Sequence, residues 1–175
     1  RSSPSASSAA SVVYKRQGAS WAIGFANAGF KCFVYDANQN SFAKFRKTSN
    51  KLIQDLRIIN SDIDEVRINS NIKLNSSIEE ICNDSVLVQE SVVEDLEIKK
   101  KIFVQLDKLT SENTIIASSS SYLLISRISE LVKHKHRCIN AHPALPPHIV
   151  PFVEVAGGDN TCLLYTSDAA DEADG

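Results

Sequence analysis

Ser121, His142 and Glu154 fall in the order and spacing that a hydroxyl-oxidising site needs. Taking a hydroxyl proton while hydride leaves the same carbon requires a base, and histidine suits because its unperturbed pKa of roughly 6.5 lies near working pH. A neighbouring carboxylate fixes the imidazole tautomer and stabilises the cation that forms. Glu154 serves that purpose if residues 143–151 loop back. Ser121 could donate a hydrogen bond to the reacting oxygen, or it could simply cap the helix after it. His142, taken alone, also reads as an ordinary histidine at a strand end.

These residues need elements to hold them at one edge. Trp21, Ala22, Phe25 and Ala26 recur at helical spacing, and Gly29 stands where a helix C-cap would. Residues 30–35 are apolar and β-favouring and stop at Asp36. Phe42, Phe45, Leu52, Leu56 and Ile59 mark an amphipathic helix over residues 41–59. Strands are predicted at residues 72–74, 85–89, 114–117, 137–141 and 152–155. Between them come a short helix opened by a Ser77 and Glu80 capping box, a charged helix over 95–109 and a helix over 123–132. Alternating strands and helices indicate an α/β fold, a doubly wound, mostly parallel sheet of Rossmann type. In such a sheet ligands bind beyond the carboxyl ends of the strands. Those ends are Asp36, Glu90, Ser118 and His142.

A dinucleotide loop needs glycines for its turn, for close approach of backbone to pyrophosphate, and for helix-to-strand packing. Gly18 fits the third, with Asp36 near the expected distance for the acid that binds the adenosine ribose. That acid would repel a 2′-phosphate, which favours NAD over NADP. The other two glycine positions hold Val13 and Lys15. One glycine and one aspartate also fit a plain strand-end carboxylate.

The ends of the chain read differently from its middle. The sequence has no Met. One choice of codons for residues 7–17, reverse-complemented and frame-shifted, gives residues 162–172, with only Val12 departing. Both ends, residues 1–17 and 162–175, read as adapter-like, non-native sequence. The native part is then residues 18–161, a cofactor domain expected to lack its first strand, with the Ser/Ala run before Val12 in that place and no helical C-terminal domain following. It is expected to be inactive alone.

A formal net charge of −2 argues for neither a nucleic acid nor a membrane partner. Cys32, Cys82 and Cys138 are scattered without C-x-x-C pairing, which fits a reducing cytoplasm. His134 and His136, among Lys133, Lys135 and Arg137, read as a solvated surface turn, and no metal site is expected there. Lys99, Lys100 and Lys101 read as a solvated helix face, and Lys44, Arg46 and Lys47 as a helix exterior or a contact for a CoA phosphate.

Residues 18–22, 89–103 and 117–121, with His142-Pro143 and Pro146-Pro147 after them, together resemble the 3-hydroxyacyl-CoA dehydrogenase family. The resemblance runs from Gly18 to about Asp159, nearly all of the sequence between the adapter-like ends. It implies NAD-dependent oxidation of a 3-hydroxyl group on an acid or acyl thioester, in a homodimeric parent. It makes Asp36 the ribose-binding acid, Glu94 and Lys99 the pair contacting cofactor, and Ser121 the serine touching nicotinamide and substrate. His142 becomes the base and Glu154 its carboxylate partner. Where the family's H-x-x-N-P segment has Asn contacting cofactor, this chain has Leu145.

Overall fold

The computed structural model describes residues 8–13, 15–38, 40–75, 77–83 and 85–161. Of the expected adapter-like segments, residues 1–7, 14 and 162–175 lie outside the described residues.

Seven strands form one sheet: β1 (Ser8–Val13), β2 (Lys31–Tyr35), β3 (Ile72–Asn75), β4 (Ser85–Ser91), β5 (Ile115–Ser118), β6 (Cys138–Pro143) and β7 (Val153–Gly157). Their spatial order is β3-β2-β1-β4-β5-β6-β7. All neighbours are parallel except β6 and β7, which are antiparallel. The helices are α1 (Lys15–Asn27), α2 (Ser41–Ile59), α3 (Glu65–Asn71), α4 (Ile78–Cys82), α5 (Leu96–Leu109) and α6 (Ile125–Ile128).

The sheet is buried on both faces, so its strands cannot alternate apolar with polar as a half-exposed sheet does. Val88, Ile116 and Cys138 turn to a core shared with Phe103 and Leu106 of α5 and Ile78 and Ile81 of α4. On the other face Cys32 and Val34 meet Ala22, Ile23 and Ala26 of α1 and Leu52, Ile53 and Leu56 of α2. The small side chains of α1 let that helix lie close to the sheet. α1 ends in a Schellman pattern: Gly29 has φ 96°, Phe30 N–H donates to Phe25 O, and Gly29 N–H donates to Ala26 O.

Ser8–Val13, from the Ser/Ala run, stands in the first-strand slot, paired with β2 on one side and β4 on the other. Two other expectations, on the helix over 123–132 and on the basic turn, need correction. Backbone ladders do not require large side chains, and two unpaired edges there would leave donors and acceptors without partners. The helix foreseen over 123–132 is only Ile125–Ile128. Ser129 Oγ bends back to Ile125 O at 2.7 Å, and the Lys133 N–H leaves the helical path for Asp107 Oδ2 at 3.1 Å. The surface-turn reading holds for Lys133 and His136, which are exposed, but not for His134 or Arg137. Arg137 is fully buried, and His134 Nδ1 lies 3.0 Å from Asp107 Oδ1.

α3 was not foreseen. It is seven residues long and buries only Ile68, so no apolar stripe announces it. Its one sequence mark is Asp64, whose side chain caps it by accepting from Arg67 N–H at 2.9 Å.

Candidate active site

Parallel strands put their carboxyl ends on one edge, and the described cavities lie along it. A cavity of about 660 Å³ is lined by Ser91, Glu94, Ser119, Ser121, His142 and Leu145, among others. A second, of about 900 Å³, is lined by Asp36 together with the first turns of α2. Arg16, in the first turn of α1, borders both. Gly18 is buried in that same turn, and the helix begins three residues before it, at Lys15.

His142, in β6, and Ser121, in the loop after β5, therefore share one cavity. Glu154 is brought opposite His142 by the antiparallel pairing of β6 with β7. Directly opposed residues carry their side chains on the same face, with Cβ atoms about 4.5–5.5 Å apart. Among the described residues no hydrogen bond or ion pair joins the two side chains, and Glu154 is exposed. The loop between the strands is set by Ala144 N–H donating to Phe152 O and by Val150 N–H donating to Pro146 O. Leu145, in that loop, is 71% exposed at the cavity wall.

Ser121 does not cap the following helix. Its neighbour Ser120 takes the turn, accepting from Leu123 N–H at 2.9 Å and donating to Glu94. That leaves the Ser121 hydroxyl available to a ligand in the cavity.

Glu94 and Lys99 are brought together but placed differently. Lys99 is 1% exposed, and its ammonium lies 2.9 and 3.0 Å from the two oxygens of Glu90 and 3.4 Å from Glu94. It stands behind Glu94 and does not line the cavity. Glu90, also fully buried, accepts in addition from the Ser118 hydroxyl at 2.7 Å and from Val92 N–H. Two carboxylates share one ammonium, so negative charge is left on the side of Glu94, which faces the cavity. Glu94 thus presents a carboxylate to the cavity, with Lys99 behind it.

The sequence reading gave Glu90 no role beyond closing a strand, and it missed the buried polar cluster around Ser119. That hydroxyl lies 3.0 Å from Trp21 Nε1, 2.7 Å from Gln89 Nε2 and 2.9 Å from Ser91 Oγ. The available clue was positional: polar residues ending two neighbouring parallel strands must meet at the ligand edge.

Asp36 is half-buried at the end of β2, and its Oδ1 accepts from Asn38 N–H at 2.8 Å. Among the described residues no hydrogen bond is found at Oδ2, and Asp36 lines the second cavity. A carboxylate on one side of the α1 N-terminus and a hydroxyl-rich pocket with a histidine on the other suit the two halves of a dinucleotide. The residues fit NAD, with Asp36 at the adenosine ribose and Glu94 and Ser121 in the other pocket. Among the described residues no group of three metal-ligating side chains occurs.

The model of the 3-hydroxyacyl-CoA dehydrogenase NAD-binding domain matches residues 16–171. The lambda-crystallin homolog of Mus musculus is 38% identical over 141 residues, 79% of this chain and 44% of that protein. The L-carnitine dehydrogenase of Oceanobacillus iheyensis is 37% identical over 94 residues, 54% of this chain and 31% of that protein. Among solved structures, (S)-3-hydroxybutyryl-CoA dehydrogenase from Ralstonia eutropha superimposes with a TM-score of 0.83 at 26% identity, covering 97% of this chain and 59% of that one. The chain spans less than half the length of the curated relatives it matches. A Rossmann-type sheet with an acid at the end of β2, matched by this domain model over almost its whole length, places the chain in the 3-hydroxyacyl-CoA dehydrogenase family, with NAD as its cofactor.

Proposed function

We propose that this chain is the cofactor-binding part of an NAD-dependent dehydrogenase that oxidises a 3-hydroxy acid or a 3-hydroxyacyl-CoA. The observation that carries the reading is the shared cavity of Ser121 and His142, with Glu154 in register behind the histidine. NAD, when bound, supplies the acceptor for the hydride. His142 takes the hydroxyl proton as general base. Glu154 turns toward the ring, orients it and balances the charge it gains. Ser121 donates to the substrate oxygen where negative charge develops, and Glu94 accepts from hydroxyls of the cofactor. Catalysis belongs to a longer, homodimeric parent, and this chain alone is inactive. A cytoplasmic setting suits Cys32, Cys82 and Cys138, which are free and buried. No helix among the described residues is long and apolar enough to cross a membrane.

One observation favours a second reading, a crystallin-like protein that keeps its NAD site without turnover. Leu145 offers no polar group at the cavity wall, where the family pattern has Asn. Following NADH formation by the parent protein over a panel of 3-hydroxy acids and 3-hydroxyacyl thioesters separates the two. Reduction with any member supports the enzyme, and bound NAD that is never reduced supports the crystallin-like reading.

A further inference from the structure

The hydroxyl cluster at the ends of β4 and β5 has a direction that proton counting assigns. A serine oxygen has two lone pairs and one proton. At Ser119 Oγ one lone pair takes the indole N–H of Trp21, a group that can only donate. The other takes the amide N–H of Gln89. The remaining contact, 2.9 Å to Ser91 Oγ, must therefore use the proton of Ser119 itself. Ser91 is the acceptor there and keeps its own proton. Among the described residues no further hydrogen bond of the Ser91 hydroxyl is found. Ser91 is 3% exposed, yet it lines the cavity that holds Ser121 and His142. Buried polar groups are nearly always paired, so this donor calls for an oxygen from a ligand.

We propose that Ser91 is a further cofactor-binding residue, whose hydroxyl donates to the carboxamide oxygen of the nicotinamide of NAD. Trp21, Gln89 and Ser119 are its positioning residues, because they deny it an inward acceptor. The proposal rests on the reading that places the nicotinamide end of the cofactor beside His142. The adenosine half is the control, since Asp36 lines the other cavity.

The test is an amide-resolved NMR titration of the chain with NAD and, separately, with ADP-ribose, which lacks the nicotinamide. Such titrations read millimolar affinities and report the fold of each variant. Losing one neutral hydrogen bond corresponds to roughly fivefold in affinity. Ser91→Ala is expected to weaken NAD by about that factor and leave ADP-ribose unchanged. Ser91→Thr, which keeps the hydroxyl, retains NAD affinity closer to the parent. Trp21→Phe frees a lone pair on Ser119, lets Ser91 turn its proton inward, and weakens NAD by a smaller factor with ADP-ribose unaffected. Ser91→Ala binding NAD like the parent, or losing ADP-ribose equally, overturns the proposal. A parent that binds ADP-ribose no less tightly than NAD also overturns it, leaving the adenosine site standing. A parent that binds neither removes the cofactor-site reading and the proposal with it.

Discussion

Replacing Arg137 by Met tests the anchoring that keeps β5 and β6, and with them the serine cluster and His142, in place. The guanidinium is fully buried, and the four protons of Nη1 and Nη2 serve five acceptors, so one proton of Nη1 is shared, while Nε has no partner among the described residues. Nη1 donates to Thr110 Oγ1 at 2.7 Å, to Ser111 O at 2.7 Å and to Thr114 O at 2.9 Å. Nη2 donates to Asp107 O at 3.0 Å and to Asp107 Oδ1 at 2.8 Å. One side chain thus ties the end of α5, the loop after it and the start of β6. Removing one partner of a buried ion pair costs about 3–5 kcal/mol. Asp107 would keep Lys133 N–H and His134, which lowers the penalty, but three carbonyls lose their donor, which raises it. We expect about 4 kcal/mol, a large share of a typical total of roughly 5–15 kcal/mol. Urea unfolding followed by circular dichroism would show a midpoint lowered by about 2 M for an m-value near 2 kcal/mol/M. The pH dependence adds a sign. Burial pushes the Asp107 carboxyl up, but hydrogen bonds from Arg137, His134 and the Lys133 amide outweigh it and hold the group below its usual range. A depressed carboxylate stabilises above its unfolded value, near pH 4, and that contribution is lost as pH falls through the folded value. The gap between parent and Arg137→Met therefore narrows below about pH 4. A loss under about 1 kcal/mol at pH 7 would refute the reasoning, because it is the size expected of an exposed pair.

Lys99→Met strands the buried Glu90 carboxylate and is expected to cost about 3–5 kcal/mol by thermal or urea unfolding. Glu94→Gln, at an exposed site, should leave stability near the parent while weakening NAD, and the reverse pattern would contradict the roles given to the two residues. The sequence at the start of α1 predicts very weak NAD binding by this chain, and Val13→Gly with Lys15→Gly should strengthen it in calorimetry; micromolar affinity in the parent would be contrary. Desolvation holds the His148 imidazole below its usual value, with Asp55 opposing and Arg16 adding to the shift. Its contribution is present above roughly pH 6.5 and lost as pH falls through the folded value. His148→Leu should therefore flatten the stability profile between about pH 7 and pH 5, and an unchanged slope would exclude this histidine as the cause.

Most of the sheet was legible because each strand is a short apolar run ended by a polar residue, and each long helix shows its stripe. Phe45, Leu52 and Leu56 of α2 are such a case, and all three are buried as the spacing demands. Residues ending strands were legible as site residues for the same reason, since parallel topology alone sends Asp36 and His142 to one edge. What escaped was decided by long-range pairing. Arg137 and His134 look like part of a basic surface run until Asp107, about one helix earlier in the chain, is seen to claim both. Lys99 looks like its neighbours Lys100 and Lys101, and only the fold shows that one of the three points inward to Glu90. The Ser/Ala run leaves little mark of a strand in its side-chain types, and its place between β2 and β4 follows from the doubly wound order.

The general-base assignment is tested most directly by His142→Asn in the full-length parent enzyme, measuring turnover and NAD affinity on the same preparation. Loss of a general base lowers kcat by about 10²–10⁴-fold, and NAD binding should stay within about twofold of the parent because Asp36 and Glu94, the residues proposed to hold the cofactor, are unchanged. A kcat within a few-fold of the parent, with the protein folded and NAD bound, would contradict the role given to His142.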